Sequence, residues 1–150
     1  MTDLFVVEDS PEDTEAIARA IGRSHPDVRM EFFRSGSEVL PRLTEPGADL
    51  PSMVLLDLNM PGESGLDVVR HVRAQPHLAG LTLVVFTSSE EQAEADACYA
   101  AGADSYIYKP LNFALFQSVL SRTLDYWGSR PSGNVALTVV PPPGDSSAQT

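Results

Sequence analysis

A few side chains in this sequence could do chemistry together if the fold brought them to one place. Glu8 and Asp9 follow the apolar run Leu4-Phe-Val-Val7, and Asp57 follows Met53-Val-Leu-Leu56. Thr87 follows Leu83-Val-Val-Phe86, and Lys109 follows Tyr106-Ile-Tyr108. Each run has the length and character of a buried strand, so each polar residue sits where a strand leaves the core. A buried carboxylate without a partner is costly and normally pairs, binds a metal or neutralises. If the strands are parallel, their carboxyl ends share one rim, and three carboxylates, a hydroxyl and an ammonium converge there. Like charges held that close repel unless a cation joins them. A hard cation with oxygen ligands answers this, with Mg2+ the expected choice because it takes one or two carboxylates together with water and phosphate oxygens. The lysine and the hydroxyl would then cradle an anion beside the metal. Such a set suits phosphoryl transfer to a carboxylate, with Asp57 as nucleophile forming an acyl phosphate. Lys109 and Thr87 would neutralise and bind the phosphoryl oxygens by position and charge.

The elements that must hold these groups follow from pattern. Ser10-Pro11 reads as an N-cap and first helical position, with Glu12 and Asp13 in the first turn and helix to about Arg23. His25-Pro-Asp27 is a breaker, and Val28, Met30 and Phe32 alternate with Arg29 and Glu31 as in a half-buried edge strand. Helix is expected over Ser35 to Leu43, from about Ser64 to Arg73, over Glu90 to Ala101 with Gly102 as C-cap, and from about Asn112 to Trp127. The last carries an apolar face of Phe113, Phe116, Leu120, Leu124 and Trp127. Five strands alternating with five helices make an α/β fold, a parallel sheet covered on both faces. Ligands in such sheets bind at the carboxyl ends of the strands, near the topological switch point.

Composition narrows the function. The chain has 150 residues, enough for one domain with a real core. A net charge of −11 opposes binding to phosphate backbones, so no nucleic-acid partner is expected. The single cysteine, Cys98, cannot form an intrachain disulfide and reads as a small core residue. The amino terminus lacks a basic region and a long apolar stretch, so no membrane association and a cytoplasmic location are expected. His25, His71 and His77 lack ligand spacing and read as surface residues.

Four segments, VVEDSPED, LLDLNMPGESG, VVFTSS and SYIYKP, closely resemble in order and spacing the signature segments of two-component response-regulator receiver domains, over about residues 3–127. The resemblance implies a flavodoxin-like, doubly wound sheet of strand order 2-1-3-4-5. It implies that Asp57 is the phospho-acceptor and Asp9 a direct magnesium ligand. Glu8 would hold the metal through water, and Asn59 would bind it by its backbone carbonyl. Thr87 and Lys109 match the switch hydroxyl and the lysine, Tyr106 matches the aromatic that turns inward on activation, and Lys109-Pro110 would be cis. By the resemblance Asn59 and Ser89 would flank the path of the hydrolytic water, and both are small and polar, so moderate autodephosphorylation is expected. By the same resemblance the protein is no enzyme beyond assisting its own phosphorylation and dephosphorylation. A phosphoaspartate hydrolase is the reading from another class, but it needs an acid two residues after the nucleophile, where Asn59 stands. Acids crowding the rim disfavour flavin mononucleotide.

The receiver is expected to span 1–127, leaving 128–150 as a C-terminal extension: a connector, a strand-like arm at about 135–140, then three prolines and a disordered end. That extension is too short for a DNA-binding domain, so a stand-alone regulator is expected. An isolated apolar strand must dock at home, on the last helix, or be exchanged into a homodimer. An aromatic pair closing the last helix, followed by LTVV and prolines, is similar to response regulators paired with bacterial and cyanobacterial phytochromes. This implies a bacteriophytochrome sensor histidine kinase upstream, and dimerisation through the arm or the face made by the fourth helix, fifth strand and fifth helix. A phosphorelay carrier, passing phosphate to a histidine phosphotransfer protein, is the alternative.

Overall fold

The computed structural model describes residues 2–60, 62–128 and 139–140. Five strands, β1 (Leu4–Val7), β2 (Met30–Phe33), β3 (Met53–Leu56), β4 (Thr82–Thr87) and β5 (Ser105–Tyr108), are parallel and ordered β2-β1-β3-β4-β5. Between them lie α1 (Pro11–Ser24), α2 (Gly36–Thr44), α3 (Gly65–Arg73) and α4 (Gln92–Ala101), and α5 (Phe113–Gly128) follows β5. The expected flavodoxin-like architecture is the one observed. A 3-10 turn at Pro76–Leu78 connects α3 to β4.

The apolar strands are buried on both faces, which is why they read as continuous runs rather than alternations. Phe5, Val7, Val54, Leu56, Leu83 and Val85 point towards α2, α3 and α4, and pack on Val39, Val68, Val72 and Cys98. Leu4, Val6, Leu55, Val84 and Phe86 point the other way, towards Ile17 and Ile21 of α1 and Phe116, Leu120 and Leu124 of α5. Helix starts are fixed by side chains. Ser10 caps α1 through the Asp13 N–H, Ser35 caps α2 through Glu38, and Ser64 with Asp67 forms a reciprocal capping box on α3. Asn112 accepts from the Leu115 N–H, so it precedes α5 rather than opening it. The fourth helix starts at Gln92, two residues later than expected, after an N-cap Glu91 whose side chain makes no capping bond. Gly102 ends α4 in the left-handed region at φ 113°, as the C-cap reading anticipated.

Val139–Val140 form a short sixth strand, β6, antiparallel to β5 with Ile107 opposite Val139 and Tyr106 opposite Val140. Within the single chain this strand lies on the sheet edge and not on the last helix, the place named by the home-docking alternative, because β5 offers unpaired backbone groups to a strand. The rest of the extension, including the connector and the expected disordered end, lies outside the described residues.

Candidate functional site

Backbone bonds carry the sheet one residue beyond the strands and so place the polar residues. The Glu8 N–H donates to Phe33 O at 2.9 Å, Asp57 N–H to Val7 O at 3.0 Å, and Lys109 N–H to Thr87 O at 2.7 Å. Because Val7 pairs with Leu56 and Thr87 with Tyr108, the residues that follow emerge side by side on one rim. The sequence reading required this convergence.

Glu8, Asp9 and Asp57 each offer a carboxylate oxygen, all within 4.8 Å of one another. Glu8 and Asp57 are buried and Asp9 is half-buried. Burial pushes the Glu8 carboxyl up from its ordinary value, against the pull of Lys109. Burial likewise pushes up Asp57, against Lys109 and the backbone N–H groups of Leu58 and Asn59. The Leu58 N–H donates to Asp57 Oδ1 at 2.9 Å, and the Ser10 N–H to Glu8 Oε2 at 3.1 Å. Three clustered oxygens with no sulfur or imidazole, and buried carboxyls that favour neutrality without a counter-charge, fit a hard divalent cation. Asn59, the expected backbone-carbonyl ligand, is exposed two residues after Asp57.

Lys109 is the sole lysine of the chain, and it is 7% exposed. Its Nζ donates to Glu8 Oε1 at 2.7 Å and to Asp13 Oδ2 at 2.8 Å, and stands 3.8 Å from Asp57 Oδ1. Burial opposes its charge, but the hydrogen bonds to Asp13 and Glu8 and the charge of Asp57 outweigh it, and its pKa is raised. Asp13 is the participant the sequence reading missed. Its place in the sequence marks it only as a first-turn charge of α1. The available signal was its position, four residues beyond Asp9 on the helix turn that rises from the same rim.

Thr87 is fully buried, and its Oγ1 accepts from the Ser89 N–H at 3.3 Å. Tyr106 is turned inward and fully buried, its hydroxyl donating to Ser89 O at 3.0 Å and its N–H to the Tyr99 hydroxyl at 3.1 Å. Ser89 therefore bonds to both Thr87 and Tyr106, which ties the rim to the α4–β5 face. One expectation fails. The described residues contain no cis peptide, so Lys109-Pro110 is trans. The tertiary amide leaves an X-Pro bond only about 0.5–1 kcal/mol of intrinsic preference, so sequence does not fix the isomer. His25 contacts Asp125 at 2.8 Å and His71 contacts Glu63 at 2.6 Å.

Comparison with known proteins agrees with this geometry. A family model described as the response regulator receiver domain matches residues 4–121. The probable methanogenesis regulatory protein FilR2 of Methanothrix harundinacea (strain 6Ac) is 32% identical over 127 residues, 83% of this chain and 82% of that protein. Response regulator Rcp1 of Synechocystis is 25% identical over 128 residues, 83% of this chain and 87% of its own. The structure of the phosphorylated cyanobacterial phytochrome response regulator RcpA superposes with a TM-score of 0.79 at 25% identity, covering 87% of this chain and 96% of that one.

Proposed function

This chain belongs to the response regulator receiver domain family, and from that premise we propose that it is a phosphorylation-driven switch in which Asp57 accepts a phosphoryl group from a sensor histidine kinase. The observation that carries the reading is the rim itself: an acceptor carboxylate and two further acids within 4.8 Å of one another, with the chain's sole lysine hydrogen-bonded to Glu8 at 2.7 Å and 3.8 Å from Asp57. An Asp57 carboxylate oxygen attacks phosphorus, the P–N bond of the kinase phosphohistidine breaks, and the imidazole leaves with the bond's electron pair and takes up a proton. Glu8, Asp9, Asp57 and the Asn59 carbonyl would hold Mg2+, which supplies charge neutralisation for the phosphoryl oxygens. Lys109 takes a phosphoryl oxygen on its side of the rim, and the Thr87 hydroxyl turns its proton towards another. That turn, and the inward Tyr106 held through Ser89, would report phosphorylation to the α4–β5–α5 face.

Residues 1–127 form the receiver in this reading, and 128–150 an extension whose β6 pairs with β5. The likeness to Rcp1 and RcpA supports a phytochrome-type kinase upstream and a stand-alone regulator. Leu111, 96% exposed two residues beyond Lys109, and Leu115 would give such a partner an apolar foothold. Incubation with magnesium and acetyl phosphate, followed by intact mass measurement, tests the site. One phosphoryl adduct is expected, absent in Asp57→Ala; an adduct that survives the substitution overturns the assignment.

A further inference from the structure

We propose that Asp13 is a positioning residue for phosphorylation, anchoring Lys109 from α1 so that its remaining N–H faces the acceptor. The inference rests on the reading of Asp57 as that acceptor. An ammonium has three N–H donors. Two are committed at 2.7 and 2.8 Å, to Glu8 on the β1 side and to Asp13 on the helix side. Asp57 Oδ1 lies 3.8 Å away, beyond hydrogen-bonding range, so no direct bond to the acceptor holds the lysine in place. A phosphoryl group on Asp57 extends its oxygens beyond the carboxylate, into reach of the third N–H.

A lysine side chain is a flexible stem carrying a point charge, and it is oriented only by what it bonds. Glu8 alone would leave the ammonium free to swing about one contact. Glu8 is also a member of the acidic cluster, so a cation held there would compete for its oxygens. Asp13 stands outside that three-carboxylate cluster and remains available to the lysine when Glu8 is engaged. It is fixed in turn by the helix start, where its own N–H donates to the Ser10 capping hydroxyl at 3.2 Å. The α1 cap, the lysine and the acceptor thus form one chain of contacts.

The test is acetyl-phosphate phosphorylation of the full chain with magnesium, in a double-mutant cycle of Asp13→Ala and Lys109→Ala, with Asp13→Asn as the milder variant. Asp13→Ala is expected to slow adduct formation about tenfold, with Asp13→Asn between it and the parent. Magnesium affinity, measured by titration calorimetry, should change less than about threefold because Asp13 is no part of the cluster. In the Lys109→Ala background, Asp13→Ala should alter the rate less than about twofold, because the anchor acts only through the lysine. Equal losses in both backgrounds, or a parent rate in Asp13→Ala, would overturn the proposal. Amine labelling gives a readout independent of phosphorylation: a chain with one lysine should label at Lys109 faster once Asp13 is removed, and an unchanged rate counts against the anchor. Failure of the acceptor reading looks different, because the adduct then persists in Asp57→Ala.

Discussion

Around the buried Asp57 carboxylate the chain is closely fitted. Gly65, the first residue of α3, lies against the backbone that follows the acceptor. A Cβ there would stand 2.2 Å from Asp57 O and 2.9 Å from Leu58 Cα, distances that backbone atoms cannot yield cheaply. Gly65→Ala should therefore cost about 2–3 kcal/mol, read as a lower urea midpoint, and slow adduct formation by displacing Asp57. Cys98 gives a separate residue-scale expectation. It is 1% exposed, and burial together with the nearby Glu94 charge pushes its thiol from 9.0 up to about 11. The folded state therefore keeps the proton that the unfolded state loses. Its contribution is full below pH 9 and is lost as pH rises towards 11. Between those limits the parent chain should lose on the order of 2–3 kcal/mol more urea stability than Cys98→Ala. Parallel pH profiles for the two would contradict this. The thiol should also resist alkylation at pH 8 until the chain unfolds.

Among the elements, α3 shows how one side chain replaces many local signals. Arg73, in its last turn, donates from Nε to Gly102 O at 2.9 Å and from its two terminal nitrogens to Leu78 O, Leu81 O and Asp104 Oδ2 at 2.7–3.0 Å. Asp104 in turn accepts from the Leu83 N–H at 2.8 Å, which couples the β4 start to the α4–β5 turn. One guanidinium thus ties α3, the 3-10 turn, β4 and the end of α4. Arg73→Ala should destabilise by about 3 kcal/mol in thermal or urea unfolding, and Arg73→Lys should recover little, because an ammonium cannot reach acceptors on several sides. A loss under about 0.5 kcal/mol for either variant would show that the carbonyls find water instead. Helix extents were legible in the sequence because Ser10, Ser35, Ser64 and Gly102 are punctuation with local causes. The start of α4 was not, because Glu90 and Glu91 favour helix by propensity and no side-chain cap marks where it begins.

For the molecule as a whole, β6 completes a sheet edge that a second copy could also fill. Within the chain it pairs with β5 beside Tyr106. The same strand supplied by a second copy would make the same ladder, so exchange costs little beyond bringing two chains together. We expect the full chain to sediment as a dimer, with and without magnesium and beryllofluoride, and a chain ending at Gly128 to sediment as a monomer. A monomeric full chain would confine the arm to its own β5. Among the described residues no helix is long and apolar enough to cross a membrane.

The sequence by itself determined the alternation of strands and helices, the strand order implied by family resemblance, and the convergence of Glu8, Asp9, Asp57, Thr87 and Lys109. The alternation and the convergence follow from apolar runs that end in polar residues, a pattern carried by neighbours along the chain, whereas the strand order rests on the resemblance alone. Tertiary structure alone decided that Lys109 bonds Asp13 as well as Glu8, that Ser89 bonds both Thr87 and Tyr106, and that Lys109-Pro110 is trans. It also decided that Val139–Val140 lie on the β5 edge rather than on the last helix. Each of these depends on groups far apart in sequence, or on a small isomer preference, and local pattern does not encode which distant partner a flexible side chain or an unpaired strand edge will meet.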